Sequence, residues 1–143
     1  MPEHDPPRIV EVRFTLPLSR DEGDVWRRLV DGIDAWWPRD YRVFPEGRMQ
    51  LDPRPGGTLR ETAHGDDGVL WYTVQAVHAG QWLVLAGHIA PPFGGPALSL
   101  LRLTLANDAA GRGEIEVHDS ILGRADAAAV EAGWRAIIGG FAG

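Results

Sequence analysis

Three consecutive residues near the end of the chain, His118, Asp119 and Ser120, have the types from which a hydrolytic triad is made: base, orienting carboxylate and nucleophile. A triad needs its side chains to converge on one point, whereas neighbours in a strand point to opposite faces. The segment "GEIEVHDSIL" alternates in this way, with Ile115, Val117, Asp119 and Ile121 on one face and Glu114, Glu116, His118 and Ser120 on the other. That excludes the triad. Residues two apart in a strand are ~7 Å apart, so Glu114, Glu116 and His118 have a spacing that can hold a metal. One His among carboxylates is a weak donor set, however. The expectation is no metal, and a solvated face on which Glu114 or Glu116 pairs with Arg102.

Asp119 is a separate case, because it stands in an otherwise apolar inward row. A buried carboxylate must find an Arg, a hydrogen-bond donor or water, or else keep its proton. It is the catalytic candidate if there is one, as an acid or base, and otherwise an anchor at the rim of a sheet or a polar contact for a ligand. Tyr72 shares a face with Leu70, Val74 and Ala76, so its hydroxyl is expected to reach the same interior, while Trp71 falls on the opposite row. His88 precedes "APPFGGP", in which Pro91, Pro92, Gly94 and Gly95 flank Phe93; this reads as a rim residue followed by a hinged gate. The pair Trp36 and Trp37 in "DAWWPRDY" poses a further question. Burying one Trp is worth about 4 to 6 kcal/mol at most. One of the two is expected to plug the core and the other to close the entrance of a pocket.

The composition removes whole classes of function. A chain of 143 residues suits one domain with one core, and its net charge of −6 with a pI near 5.3 argues against a nucleic-acid partner. There is no Cys, and all fourteen basic residues are Arg. Disulfides, thiolate metal sites, Schiff bases and a P-loop lysine are thereby excluded. The start, "MPEHDPPR", is charged and proline-rich, unlike a secretory signal, and residues 1–8 read as a flexible leader. No apolar run approaches the ~20 residues of a membrane span. A cytoplasmic protein with no membrane partner is the expectation.

The elements that must position these residues follow from hydrophobic periodicity. "IVEVRFTL" alternates as a half-buried strand. Ser19 with Glu22 forms a capping-box pattern ahead of Val25, Trp26, Leu29, Val30 and Ile33, which predicts a helix of about three turns. "IDAWWP" predicts a second short helix, and "YRVF" a short strand. "EGRMQLDPRPGG" reads as turn chemistry around one more short strand and "TLRETA" as another, and then come two hairpins, "VLWYTVQAV" with "QWLVLAGHI" and "ALSLLRLTL" with "GEIEVHDSIL". Leu101, Leu103 and Leu105 face inward on the last hairpin. Asp126 is placed to cap a long helix whose Val130, Trp134, Ile137 and Phe141 form one stripe. This order is α+β, with a cavity expected between the curved sheet and the terminal helix.

"VWRRLVDGIDAWWP", "PGGTLRE", "GVLWYTVQAVHAGQWLVLAG", "VHDSILG" and "EAGWRAII", in that order from about Val10 to Ile138, resemble the START-like (SRPBCC) superfamily. The similarity is to the branch holding polyketide cyclases and bacterial relatives of the chaperone-ATPase activator. The resemblance implies a helix-grip fold, in which a strongly bent antiparallel sheet wraps around a long C-terminal helix, with two short helices after strand one. It also implies a pocket for apolar or amphipathic molecules. Trp36 and Trp37 match the family's aromatic pair after its first helix, and Trp134 its Gly-Trp. Many relatives carry His at the position of Asp119, so no role passes over from that His.

Together these readings give a START-like domain that binds a small apolar or amphipathic molecule and needs no cofactor. The expected pocket residues are Trp36, Trp37, Tyr72, Val74, His88, Phe93, Leu101, Leu103, Val117, Asp119 and Trp134. Two alternatives remain open. One is a polyketide cyclase- or dehydratase-like enzyme using Asp119, with Tyr72 or His88 assisting. The other is a module for a chaperone or a second copy of itself, a homodimer, using Trp71 and Trp82 on the convex face.

Overall fold

A computed structural model describes residues 6–20 and 23–143. The strands are β1 (Arg8–Pro17), β2 (Arg48–Leu51), β3 (Thr58–Thr62), β4 (Gly68–His78), β5 (Trp82–Ile89), β6 (Ala97–Asn107) and β7 (Gly113–Gly123). The helices are α1 (Val25–Val30), α2 (Ile33–Trp36) and α3 (Ala127–Ala142). The strands form one antiparallel sheet in the order β1-β7-β6-β5-β4-β3-β2. Strands β2 to β7 are a meander, and α1 and α2 carry the chain from the β1 edge to the β2 edge. On the concave face α3 packs nearest β1 and β7, while α2 packs on β2. The α+β helix-grip architecture is as expected. Residues 1–5 of the expected leader lie outside the described residues, and Arg8 already pairs with Gly123 in β1.

Two bulges bend the wall. Leu59 pairs with Tyr72 but Arg60 with Leu70, leaving Trp71 as the extra residue; Val74 pairs with Leu85 but Ala76 with Val84, leaving Gln75. A bulge breaks the period of two and increases the local twist. Beyond Gln75 it is Val77, opposite Leu83, that packs on the core, and Ala76 leaves the row it shares in the sequence with Tyr72.

Near the first helix the structure departs from the sequence pattern. Asp24, not Ser19, caps α1, accepting from the Arg27 N–H at 2.9 Å, whereas the Ser19 N–H donates to Ala142 O at 2.8 Å. Glu22 lies outside the described residues. The helix has only six residues, and the chain turns into α2 at Gly32, where a Cβ would meet Arg28 O at 2.6 Å, so the turn requires glycine. "YRVF" is not a strand. Residues Arg39–Tyr41 form a 3-10 turn, and the Val43 and Phe44 N–H groups donate to the Glu61 carboxylate, at 2.9 and 2.8 Å, in place of a neighbouring strand.

Arg42 ties this region together. Its guanidinium donates to Asp34 Oδ1 at 2.9 Å, Asp34 O at 2.8 Å and Trp37 O at 2.6 Å, so it satisfies carbonyls that the end of α2 leaves without helical partners. Asp34 Oδ1 also accepts from the Met49 N–H at 2.9 Å, which joins α2 to β2. Burial pushes the Asp34 carboxyl up, but Met49 and Arg42 outweigh it and hold its pKa below 3.8. The stabilisation is therefore present above pH 3.8 and lost as pH falls below it. The Arg42 side chain is 1% exposed and that of Asp34 34%. Removing one partner of a fully buried pair costs about 3 to 5 kcal/mol, and partial solvation of Asp34 reduces this. Arg42→Ala should thus lower the unfolding free energy by about 2 to 4 kcal/mol in urea titrations at neutral pH. A loss below about 1 kcal/mol would rank the pair with ordinary surface ion pairs.

Candidate ligand-binding cavity

The concave side has two halves. In one, aromatic rings fill the space: Trp36 packs on Phe141 at 5.6 Å and on Trp37 at 5.8 Å, and Trp37 meets Trp71 at 5.3 Å and Trp134 at 6.2 Å. The approach of α3 depends on Gly140, where a Cβ would meet Trp36 O at 2.2 Å. Both Trp36 and Trp37 are therefore core. The Trp36 indole donates to Leu29 O at 3.1 Å and the Trp37 indole to Tyr41 O at 3.2 Å, so neither closes an entrance. Val74, Leu101, Leu103 and Val117 lie in this packed half, at 1, 1, 6 and 0% exposure. These six expected pocket residues support the cavity from behind without lining it.

The other half is open. A cavity of about 680 Å³ lies between β4, β5, β7 and the first turns of α3. Of the expected residues it brings together Tyr72, His88, Phe93, Asp119 and Trp134. Its wall also takes in Trp71, Ile121, Val130, Gly133 and Ile137. Trp71 is turned inward by its bulge, with its indole donating to Glu61 Oε1 at 2.8 Å. It does not lie on the convex face, where Trp82 sits with the Arg102 guanidinium 5.4 Å above its ring. Glu61, 1% exposed, is a second inward carboxylate that the sequence pattern did not reveal. Its oxygens are occupied by Val43, Phe44 and Trp71. Tyr41, Val43, Leu70 and Phe93, each 40% exposed or more, surround the opening and make it an apolar rim.

The polar part of the wall is a hydrogen-bond relay. The Tyr72 hydroxyl lies 2.6 Å from Ser99 Oγ, Ser99 Oγ lies 2.6 Å from Asp119 Oδ1, and the Trp134 indole donates to Asp119 Oδ2 at 2.9 Å. Gly87 makes room for the Tyr72 ring, whose nearest carbon would be 2.9 Å from a Cβ there. Ser99 is not among the expected site residues, although it stands two residues before Leu101 on the inward row of β6, where counting in twos points it inward. Burial pushes the Asp119 carboxyl up, the bonds from Ser99 and Trp134 and the nearby His118 pull it down, and the net shift is upward. Burial, and then the Asp119 charge, keep the Tyr72 phenol protonated at any ordinary pH.

On the convex face His118 Nε2 lies 3.8 Å from Glu11 Oε1, and Ser120 donates to Glu11 Oε1 at 2.9 Å, remote from Asp119's partners. Glu116 pairs with Arg13 of β1 at 2.9 Å, not with Arg102. Among the described residues no group of three or more His, Asp or Glu side chains is placed to hold a metal ion. No helix among them is long and apolar enough to cross a membrane.

No protein-family model matches the chain, and no curated protein matches it in sequence. Solved structures share its fold. A putative uncharacterized protein from Rhizobium leguminosarum superposes with TM-score 0.70 at 17% identity, over 95% of this chain and 93% of that one. A protein of unknown function from Staphylococcus aureus gives TM-score 0.67 at 10% identity, over 94% and 92%. An anthrahydroquino-γ-pyrone synthase, Txn09, gives TM-score 0.50 at 15% identity, over 85% and 79%. At such identities the likeness establishes the helix-grip fold and no more.

With its pKa raised above 3.8, Asp119 keeps its proton in the folded chain over a range where the unfolded chain has lost it. Its contribution to stability is complete below pH 3.8 and is lost as pH rises through the folded value. Asp119→Asn, whose amide can accept from Trp134 and donate to Ser99 without ionising, should therefore gain stability relative to the natural chain across the range above pH 3.8 in which the folded chain loses this proton. Urea unfolding of both proteins across that range measures it. A stability difference that is flat with pH, or that moves the other way, would show that the two donors outweigh burial.

Proposed function

We propose that this chain is a START-like (SRPBCC) protein that binds a small apolar or amphipathic molecule between its curved sheet and α3. The observation that carries this reading is Gly133. It lies in the first half of α3, in the cavity wall, and a Cβ built there meets nothing within 4 Å. A glycine inside a helix costs about 1 kcal/mol relative to Ala. No neighbouring atom requires one here, so its effect is to leave the room empty. The apolar rim, the volume and the few polar groups in the wall support the same reading.

An enzymatic reading rests on one specific observation, that the Asp119 carboxyl stands in the cavity wall with its pKa raised by burial above that of an exposed carboxyl. In that reading Asp119 moves a proton on a polyketide-like substrate. The fold shared with a γ-pyrone synthase is compatible with it. The two readings part on product: a carrier returns its ligand unchanged.

Gly133→Leu separates binding from folding. The side chain would enter the cavity, while the helix gains about 0.5 to 1 kcal/mol in propensity. Its unfolding midpoint should equal or exceed that of the natural chain. Apolar probes followed by tryptophan emission, to which Trp71 and Trp134 in the wall contribute, should bind the natural chain and bind the variant at least tenfold more weakly, about 1.4 kcal/mol. Equal binding by both proteins would remove the cavity as the ligand site.

A further inference from the structure

The cavity wall contains no Arg among its residues, and its ionisable groups are Asp119, His88 at the rim and the tyrosines Tyr41 and Tyr72. A ligand carboxylate or phosphate would find no cation inside. Away from the rim the polar side chains of the relay in the wall are Tyr72, Asp119 and Trp134, with Ser99 buried behind them. Their bonding has a direction that one proton decides. The Trp134 indole N–H can only donate, so it fixes Oδ2 as an acceptor, and any proton on Asp119 belongs on Oδ1, facing Ser99.

The rest follows from counting hydrogens. When Asp119 is ionised, Ser99 gives its single hydrogen to Oδ1 and must accept from Tyr72. Tyr72, a residue of the cavity wall, then has only lone pairs left on its oxygen. When Asp119 is protonated it donates to Ser99, Ser99 donates to Tyr72, and the phenolic hydrogen is free for the ligand. In the 2.6 Å Tyr72–Ser99 contact either hydroxyl can be the donor; the 2.6 Å Ser99–Asp119 bond runs from Ser99 to the ionised carboxylate and reverses when Asp119 carries the proton.

We propose that the cavity takes an uncharged apolar molecule with a single hydrogen-bonding oxygen at its buried end. We further propose that Tyr72 reads this oxygen, as donor to a carbonyl or acceptor from a hydroxyl according to the proton on Asp119. The proposal rests on the ligand-binding reading above. Few other groups act on the switch. β1 places Val12 opposite Asp119, β6 presents Leu101 and Ser99, β4 presents Tyr72 and α3 presents Trp134. His118, next in the chain on the far face, favours the ionised form. The upward shift of Asp119 brings the protonated arrangement closer to neutral pH than it would be for an exposed carboxyl.

Three probes of one skeleton test this: fluorene, fluorenone and fluorenol, none of which ionises in the working range. Binding is measured by equilibrium dialysis from about pH 4 to about pH 8. Fluorene should bind independently of pH. Fluorenone should bind tightly at the acid end and weaken about tenfold as Asp119 ionises, the worth of one hydrogen bond. Fluorenol, able to accept or donate, should change little.

Asp119→Asn places its carbonyl on Trp134 and its amide on Ser99, which locks the relay in its donating direction. Fluorenone should then bind tightly at every pH. Ser99→Ala, which cuts the relay, should abolish the pH dependence by another route, and Tyr72→Phe should abolish the preference of fluorenone over fluorene. Fluorene binding with a fluorenone affinity that ignores pH, or that keeps its pH dependence in Asp119→Asn, would overturn this proposal and leave the cavity reading intact. Failure of all three probes to bind would overturn both.

Discussion

The bond from the Trp134 indole to Asp119 is the point on which the interior turns. Trp134 projects from α3 with one side against Trp37, and its N–H, at 2.9 Å from Asp119 Oδ2, fastens the helix to β7. On one side of that bond Trp36, Trp37 and Phe141 fill the space between helix and sheet. On the other the wall falls away into the cavity. The indole is shared between the two regimes, as a core side chain by its ring and as a polar anchor by its nitrogen. A Leu in its place could pack on Trp37 but would leave a buried carboxylate one donor short, at a cost of about 1 to 3 kcal/mol.

What was legible in the sequence was what regular periods encode. Strict alternation placed Val117, Asp119 and Ile121 on the inner face of β7, and the spacing of Trp134, Ile137 and Phe141 oriented α3, because tertiary packing left both periods intact. Where the chain departs from a period, the reading failed with it. Trp71 was assigned to the convex face by counting in twos, and its bulge turns it into the cavity wall. Trp36 and Trp37 were split between core and mouth, although both indoles find backbone carbonyls inside the fold.

The Asp34–Arg42 clamp and Glu61 were not legible for another reason. Each is a charged side chain that satisfies backbone groups of an irregular segment, and such segments show no hydrophobic pattern from which to infer a partner. Arg42 completes the end of α2, and Glu61 stands in for the strand that residues 43 and 44 do not pair with. Asp24 and not Ser19 caps α1 because a helix start is chosen by which side chain reaches a free N–H, and Asp24 reaches that of Arg27. Long-range polar contacts of this kind become visible only when the fold brings their ends together.

The polar relay and the empty room have to be weighed together. Buried hydroxyls and a carboxylate in a cavity wall are poor choices for stability: apolar residues of the same shape are often as good or better. A mid-helix glycine facing open space is a poor choice in the same sense. A packing defect left by drift would be lined by truncated apolar side chains, with no reason for Tyr72, Ser99, Asp119 and Trp134 to satisfy one another in series. The series joins Tyr72, Asp119 and Trp134, all three in the cavity wall, through the buried Ser99. Groups held rigid by their own network in this way would lose little freedom on meeting a ligand, which is how such a network can favour binding at the expense of stability.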